Sequence, residues 1–137
     1  MSQPPCHYRV SVKALVSSCD QVLLVREGSE RWDLPGGGLE HNEDVGIGLS
    51  RELEEELGVA TKSPPELLCS YKAFDPVNDR YVLALIFAVE LSSWEFVLKP
   101  PVFEIRTFNK TELQRVPLEP YAEALRPLLV GESLPVN

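Results

Sequence analysis

Three acidic side chains, Glu52, Glu55 and Glu56, lie close together in Arg51-Glu52-Leu53-Glu54-Glu55-Glu56-Leu57-Gly58. On a helix of about 100° per residue they share an arc of roughly 100°, beside an apolar stripe of Leu49, Leu53 and Leu57. Like charges at i, i+3 and i+4 destabilise a helix by a few tenths of a kcal/mol per pair, and no Lys follows at those spacings to offset them. Hard divalent cations suit such oxygen ligands: Mg²⁺ accepts one or two carboxylates, keeps several waters and takes its remaining ligands from phosphates. The helix edge is therefore a candidate cation site, weighed against the plainer reading of a solvated acidic face. Cations held there would polarise phosphate oxygens and acidify bound water, which is what cleaving a phosphoanhydride needs. No covalent nucleophile is required, and Ser50 and Cys69, with no base arranged beside them, read as structural residues.

Context favours the cation site. The spacing Gly37-x5-Glu43-x7-Arg51-Glu52-apolar-x-Glu55-Glu56-x-Gly58-apolar resembles, without a departure, the signature box of the Nudix hydrolase family. The segment Trp32-Asp33-Leu34-Pro35-Gly36 resembles that family's approach to the box. The resemblance implies metal-dependent attack of water at phosphorus in a nucleoside diphosphate linked to another moiety, on a Nudix-type α/β/α sandwich. By position in the box it implies Glu52, Glu55 and Glu56 as catalytic metal ligands for Mg²⁺ or Mn²⁺, with Glu52 also orienting or deprotonating the attacking water. It gives Glu43 and Arg51 the structural duty of tying loop to helix. Gly37 and Gly58 would supply conformations that a Cβ obstructs. The family often recruits one more acid from outside the box, and Glu104 is the candidate, although Thr107 stands where the family commonly carries Trp. The N–H groups of Gly36 to Gly38 could meet a phosphate, or the glycines could serve only a tight turn.

Substrate recognition is less legible. Tyr8, Trp32, Phe74 and Tyr81 are available to stack on a base, and Arg9, Lys13, Arg26 and Lys72 to meet phosphates, but core packing and solvated strand faces are the ordinary roles of such residues. His7 and His41 read as surface residues. The resemblance points to MutT-like enzymes acting on nucleoside triphosphates or similar small nucleotides. ADP-ribose is disfavoured, because few residues precede the first strand and relatives acting on it carry an extra N-terminal segment. The alternatives are a non-catalytic nucleotide-sensing Nudix module, which would be expected to lose box carboxylates, and an acidic protein-interaction domain.

The elements that must position these residues follow from periodicity. Strict alternation over residues 7–16 predicts a strand with Tyr8, Val10, Val12, Ala14 and Val16 on one face and Arg9, Ser11 and Lys13 on the other. Residues 22–26 read as the second arm of a hairpin, followed by a polar loop over 27–31. Pro35-Gly36-Gly37-Gly38 is expected to break regular structure, and residues 43–57 to form the main helix, stopped by Gly58 as a left-handed cap. Strands are predicted over 66–74, 81–90 and 103–108, the second covered on both faces, and a helix starts near Asn109. Leu118, Tyr121, Ala122, Leu125 and Leu129 predict a closing helix behind Pro120. The whole reads as one α/β domain over residues 1–137 with a mixed sheet.

Length and composition set the outer bounds. The chain of 137 residues, 44% apolar and 25% charged, has the makeup of an ordinary folded domain. Its 13 basic and 21 acidic side chains give a net charge of −8, which disfavours broad electrostatic binding to nucleic acid. Three cysteines, Cys6, Cys19 and Cys69, without a CxxC pair, and no export or membrane-spanning signal suggest a reduced, cytoplasmic setting. Oligomeric state is left open, a homodimer included.

Overall fold

In the computed structural model, residues 3–131 are described. Strand β1 (Arg9–Leu15) runs through the middle of a four-stranded mixed sheet. It pairs antiparallel with β5 (Gly36–Gly38) on one edge and parallel with β7 (Arg80–Ala88) on the other, and β6 (Glu66–Asp75) lies antiparallel against β7. The expectation of a strand covered on both faces holds for β7, where Val82, Ala84, Ile86 and Phe87 are all buried. The first two expected strands are not hairpin partners. Between β1 and β3 (Gln21–Arg26) the chain forms β2 (Ser17–Ser18), which makes the tight hairpin with β3. Cys19 and Asp20 at its tip take positive φ, as a two-residue turn matched to strand twist requires. A second sheet grows on β3, with β8 (Glu104–Asn109) along one edge and β2 and β4 (Trp32–Asp33) along the other.

The glycine run is not a break in regular structure. Gly36 to Gly38 form strand β5 because the backbone must pass closer to β1 than any side chain allows: a Cβ on Gly36, at φ +137°, would sit 2.1 Å from the Val12 carbonyl oxygen. Helix α1 (Val45–Leu57) follows, starting two residues later than the periodicity suggested and ending at Gly58 with φ 70°. Leu49, Leu53 and Leu57 are fully buried, against Val12, Ala14, Leu23, Val25 and Phe87, whereas Val45 is 38% exposed. At about 1.5–3 kcal/mol for each buried leucine, this stripe fixes which edge of α1 faces outward.

The opposite face of the sheets carries a second core of Leu24, Trp32, Ile86, Phe108, Leu113, Leu118, Leu125 and Leu129. It is covered by α2 (Lys110–Leu113), which starts on the Asn109 and Glu112 capping box, and by the C-terminal segment. That segment is not one helix. It runs as a 3-10 helix (Pro120–Leu125) into the single turn α3 (Arg126–Leu129), since Pro127 has no N–H to continue the ladder. Helices on both faces of a mixed sheet make an α/β/α sandwich, as expected from the sequence.

Candidate active site

Helix α1 presents Glu52, Glu55 and Glu56 along one edge, and all three line a cavity of about 440 Å³ together with Gly36, Gly37, Glu27 and the Lys99-Pro100-Pro101 loop. Their surroundings differ sharply. Glu55 is exposed; Glu52 is mostly covered and packs against Gly37, where a Cβ would come within 2.6 Å of its carboxyl carbon. A Cβ at Gly37 would thus displace the Glu52 carboxyl, and no unusual φ sets this glycine apart. Glu56 is buried, 5% exposed, and accepts the Gly36 N–H at 3.2 Å. Burial pushes its carboxyl up to about 8, with the negative charges of Glu27 and Glu52 adding to the rise and Lys13 and the Gly36 N–H opposing it.

The charge that offsets part of this cluster comes from Arg51, which precedes it. Its Nε and Nη2 grip Glu43 at 2.7 and 2.9 Å, its Nη2 donates to the Gly38 carbonyl at 3.1 Å, and its Nη1 donates to Glu52 at 3.1 Å and Glu55 at 3.3 Å. One guanidinium therefore ties the loop after β5 to α1 and orients two box acids. Glu43 in turn accepts the Glu40 N–H, and these bonds, Arg51 first, hold its carboxyl down to about 2. Among the described residues, no three acidic, histidine or cysteine side chains are drawn together as a finished metal site. The acids border the cavity, two of them leaning on Arg51.

Glu104 is not among them. In register with Arg26 across β3 and β8, it forms an ion pair with that guanidinium, which lies between the Trp32 and Phe103 rings at 4.9 and 5.1 Å. The acid that lines the cavity from outside the box is Glu27, its carboxyl pushed up first by desolvation. Nothing in its local sequence marks it, beyond its place just after a strand end. Lys13 also departs from expectation. It is buried, not solvated, because β1 is an interior strand, and its ammonium binds Asp33 at 3.1 Å and the Leu34 and Gly36 carbonyls. Arg9 likewise turns inward, to the Leu39 carbonyl at 2.8 Å.

Of the four aromatic candidates, Trp32 is core, packed edge-on against Phe108. Phe74 and Tyr81 are about half exposed and meet edge-on, with Tyr8 tilted against Tyr81. Phe74 also borders a second cavity of about 260 Å³, alongside Val77, Asn78, Asp33, Glu119 and Glu27. His7, His41 and Lys72 are exposed, and neither Ser50 nor Cys69 borders the acidic cavity. Among the described residues no helix is long and apolar enough to cross a membrane.

Known proteins resemble this arrangement. Human diphosphoinositol polyphosphate phosphohydrolase 3-alpha is 38% identical over 78 residues, covering 56% of this chain and 48% of that protein. Rat diphosphoinositol polyphosphate phosphohydrolase 2 is 37% identical over the same length, 43% of its own. The chain thus spans about half the length of the curated relatives it matches. A MutT NUDIX hydrolase structure from Burkholderia pseudomallei superposes with a TM-score of 0.73 at 28% identity, covering 90% of this chain and 96% of that one. The MutT protein of Methanosarcina mazei Go1 gives 0.78 at 23%, covering 93% and 96%, a likeness of fold. The family model of the NUDIX domain matches residues 7–130, so the chain belongs to the Nudix hydrolase family.

Proposed function

We propose that this chain hydrolyses a phosphoanhydride bond in a small nucleotide, a nucleoside triphosphate or a similar nucleoside diphosphate linked to another moiety, with a divalent cation held by Glu52, Glu55 and Glu56. The carrying observation is that the three box acids open onto one cavity while Glu56 is buried with its charge only partly offset. Hard carboxylate oxygens with unmet negative charge are the donor set that Mg²⁺ or Mn²⁺ takes. A cation bound there would neutralise phosphate oxygens and acidify its bound water. The chain's own residues supply position. Arg51 keeps Glu52 and Glu55 at the rim, the Gly36 N–H fixes Glu56, and Gly37 leaves room for Glu52. Retention of all three acids speaks against a sensor that binds without cleaving.

The neighbouring cavity supports a nucleoside rather than an inositol polyphosphate beyond the scissile group. Its border combines Phe74 and the apolar Val77 with Asp33, Asp75 and Glu119. Arg31 is also there, donating to the Leu118 carbonyl and leaving one positive charge beside the carboxylates. Carboxylates repel a ring carrying several phosphates and accept from the N–H groups of a base, which an aromatic face can also stack. A panel of nucleoside triphosphates, nucleoside diphosphate conjugates and diphosphoinositol polyphosphates, assayed with and without Mg²⁺, tests this. Mg²⁺-dependent release of a nucleoside monophosphate is expected, with Glu55→Gln and Glu56→Gln lowering turnover by orders of magnitude. Wild-type turnover in both variants, or cleavage of the inositol substrates alone, overturns the reading.

A further inference from the structure

We propose that Lys13, in β1, is a positioning residue of the cation site: through Gly36 it holds Glu56, the buried acid of the α1 edge. The inference rests on the reading of that edge as a cation site and adds to it a residue outside the box. Val12 and Ala14 belong to the core under α1, so alternation sends the Lys13 side chain to the opposite face of β1. There Lys13 is 6% exposed, and its ammonium donates to Asp33 Oδ2 at 3.1 Å and to the Leu34 and Gly36 carbonyls at 3.4 and 3.3 Å. All three acceptors lie in one stretch, residues 33–36, which leads from the end of β4 to the start of β5.

Taking an ammonium out of water costs free energy that an apolar side chain of the same length would not, so packing alone gives position 13 no reason to carry one. What the ammonium adds is a fixed point for the segment that approaches α1. Gly36 is the link to the chemistry: its carbonyl accepts from Lys13, while its N–H donates to Glu56 at 3.2 Å. A glycine at φ +137° has no side chain of its own to restrict it, so the groups that hold its N–H and carbonyl set its orientation. Asp33 borders the Phe74 cavity and Gly36 the acidic one, so one ammonium ties the borders of both.

Mn²⁺ binding to the full chain without nucleotide, followed by the paramagnetic resonance of the free ion, tests the assignment. Lys13→Met takes the ammonium from a carboxylate that is itself mostly covered and can lower the fraction folded. The double variant Lys13→Met/Asp33→Asn removes both charges together and is measured beside it, each protein at a temperature where circular dichroism shows it fully folded. Both should raise the Mn²⁺ dissociation constant about tenfold or more, as losing a group that orients a metal ligand does, whereas Asp33→Asn alone, which leaves both carbonyl contacts, should stay within about threefold of wild type. A role in stability alone would lower the melting temperature and leave the affinity of the folded variants unchanged. A purely electrostatic role would tighten Mn²⁺ binding in Lys13→Met, because a positive charge near the cation is lost. Either result, or an equal loss in Asp33→Asn, overturns the role of Lys13 and leaves the box acids standing. If the wild-type protein itself takes up no Mn²⁺, the reading of the α1 edge falls and this inference with it.

Discussion

Arg51 answers at one position the question raised by three clustered acids, and it does so at a cost to its freedom: six of its hydrogen bonds go to Glu43, Glu52, Glu55 and the Gly38 carbonyl. A lysine would supply the charge without the fork that grips Glu43 bidentately. The Glu43 carboxyl, held down to about 2, makes this pairing readable in solution. A carboxyl whose folded value lies below its unfolded one, near 4.5, adds stability that is fully present above the unfolded value and lost as pH falls through the folded one. Metal-free protein should therefore lose melting temperature between about pH 4.5 and pH 2, and Glu43→Gln should flatten that limb. Thermal melts of the two proteins across the window check it; parallel limbs would show that the bond to Arg51 contributes nothing.

At the scale of elements, helix α1 turns its acids outward because Leu49, Leu53 and Leu57 are fixed inward. Leu53→Ala should cost about 2–5 kcal/mol, from lost burial plus the cavity left behind. Chemical denaturation measures this, and a loss below about 1 kcal/mol would mean that α1 is not held by that stripe. The stripe, the Gly58 cap and the Asn109 start were all legible in the sequence, since each depends on neighbours three or four residues away. Strand β5 was not. Gly36 to Gly38 look like punctuation locally, and only the approach of β1, with Val12 carbonyl and Arg9 guanidinium filling the space of a side chain, reveals them as a strand. The C-terminal segment failed for a different reason: its apolar spacing was helical, but Pro127 stands inside the expected helix.

The whole molecule decides which charges meet, and that is the part of the site sequence order hides. Glu104 lies near the right place along the chain and is captured by Arg26 across a strand pair; Glu27 lies in an unmarked loop and lines the same cavity as the box acids. Lys13 was read as a solvated residue and is enclosed because two further strands flank β1. With a net charge of −8 around it, a buried Glu56 should make the metal-free fold sensitive to pH in the direction opposite to Glu43. Its folded value, pushed up to about 8, exceeds the unfolded one near 4.5, so the folded state retains a proton that the unfolded chain releases between those values. Stability should fall as pH rises from about 4.5 to about 8, by up to a few kcal/mol. Glu56→Gln should abolish the slope, and millimolar Mg²⁺ should restore stability at the alkaline end by binding the folded state alone. Melting temperatures with chelator and with Mg²⁺ at both ends of the window measure it. A metal-free profile that rises toward pH 8, or one that Glu56→Gln leaves unchanged, would mean that the cavity does not strain that carboxylate and that its fit to a cation must be sought elsewhere.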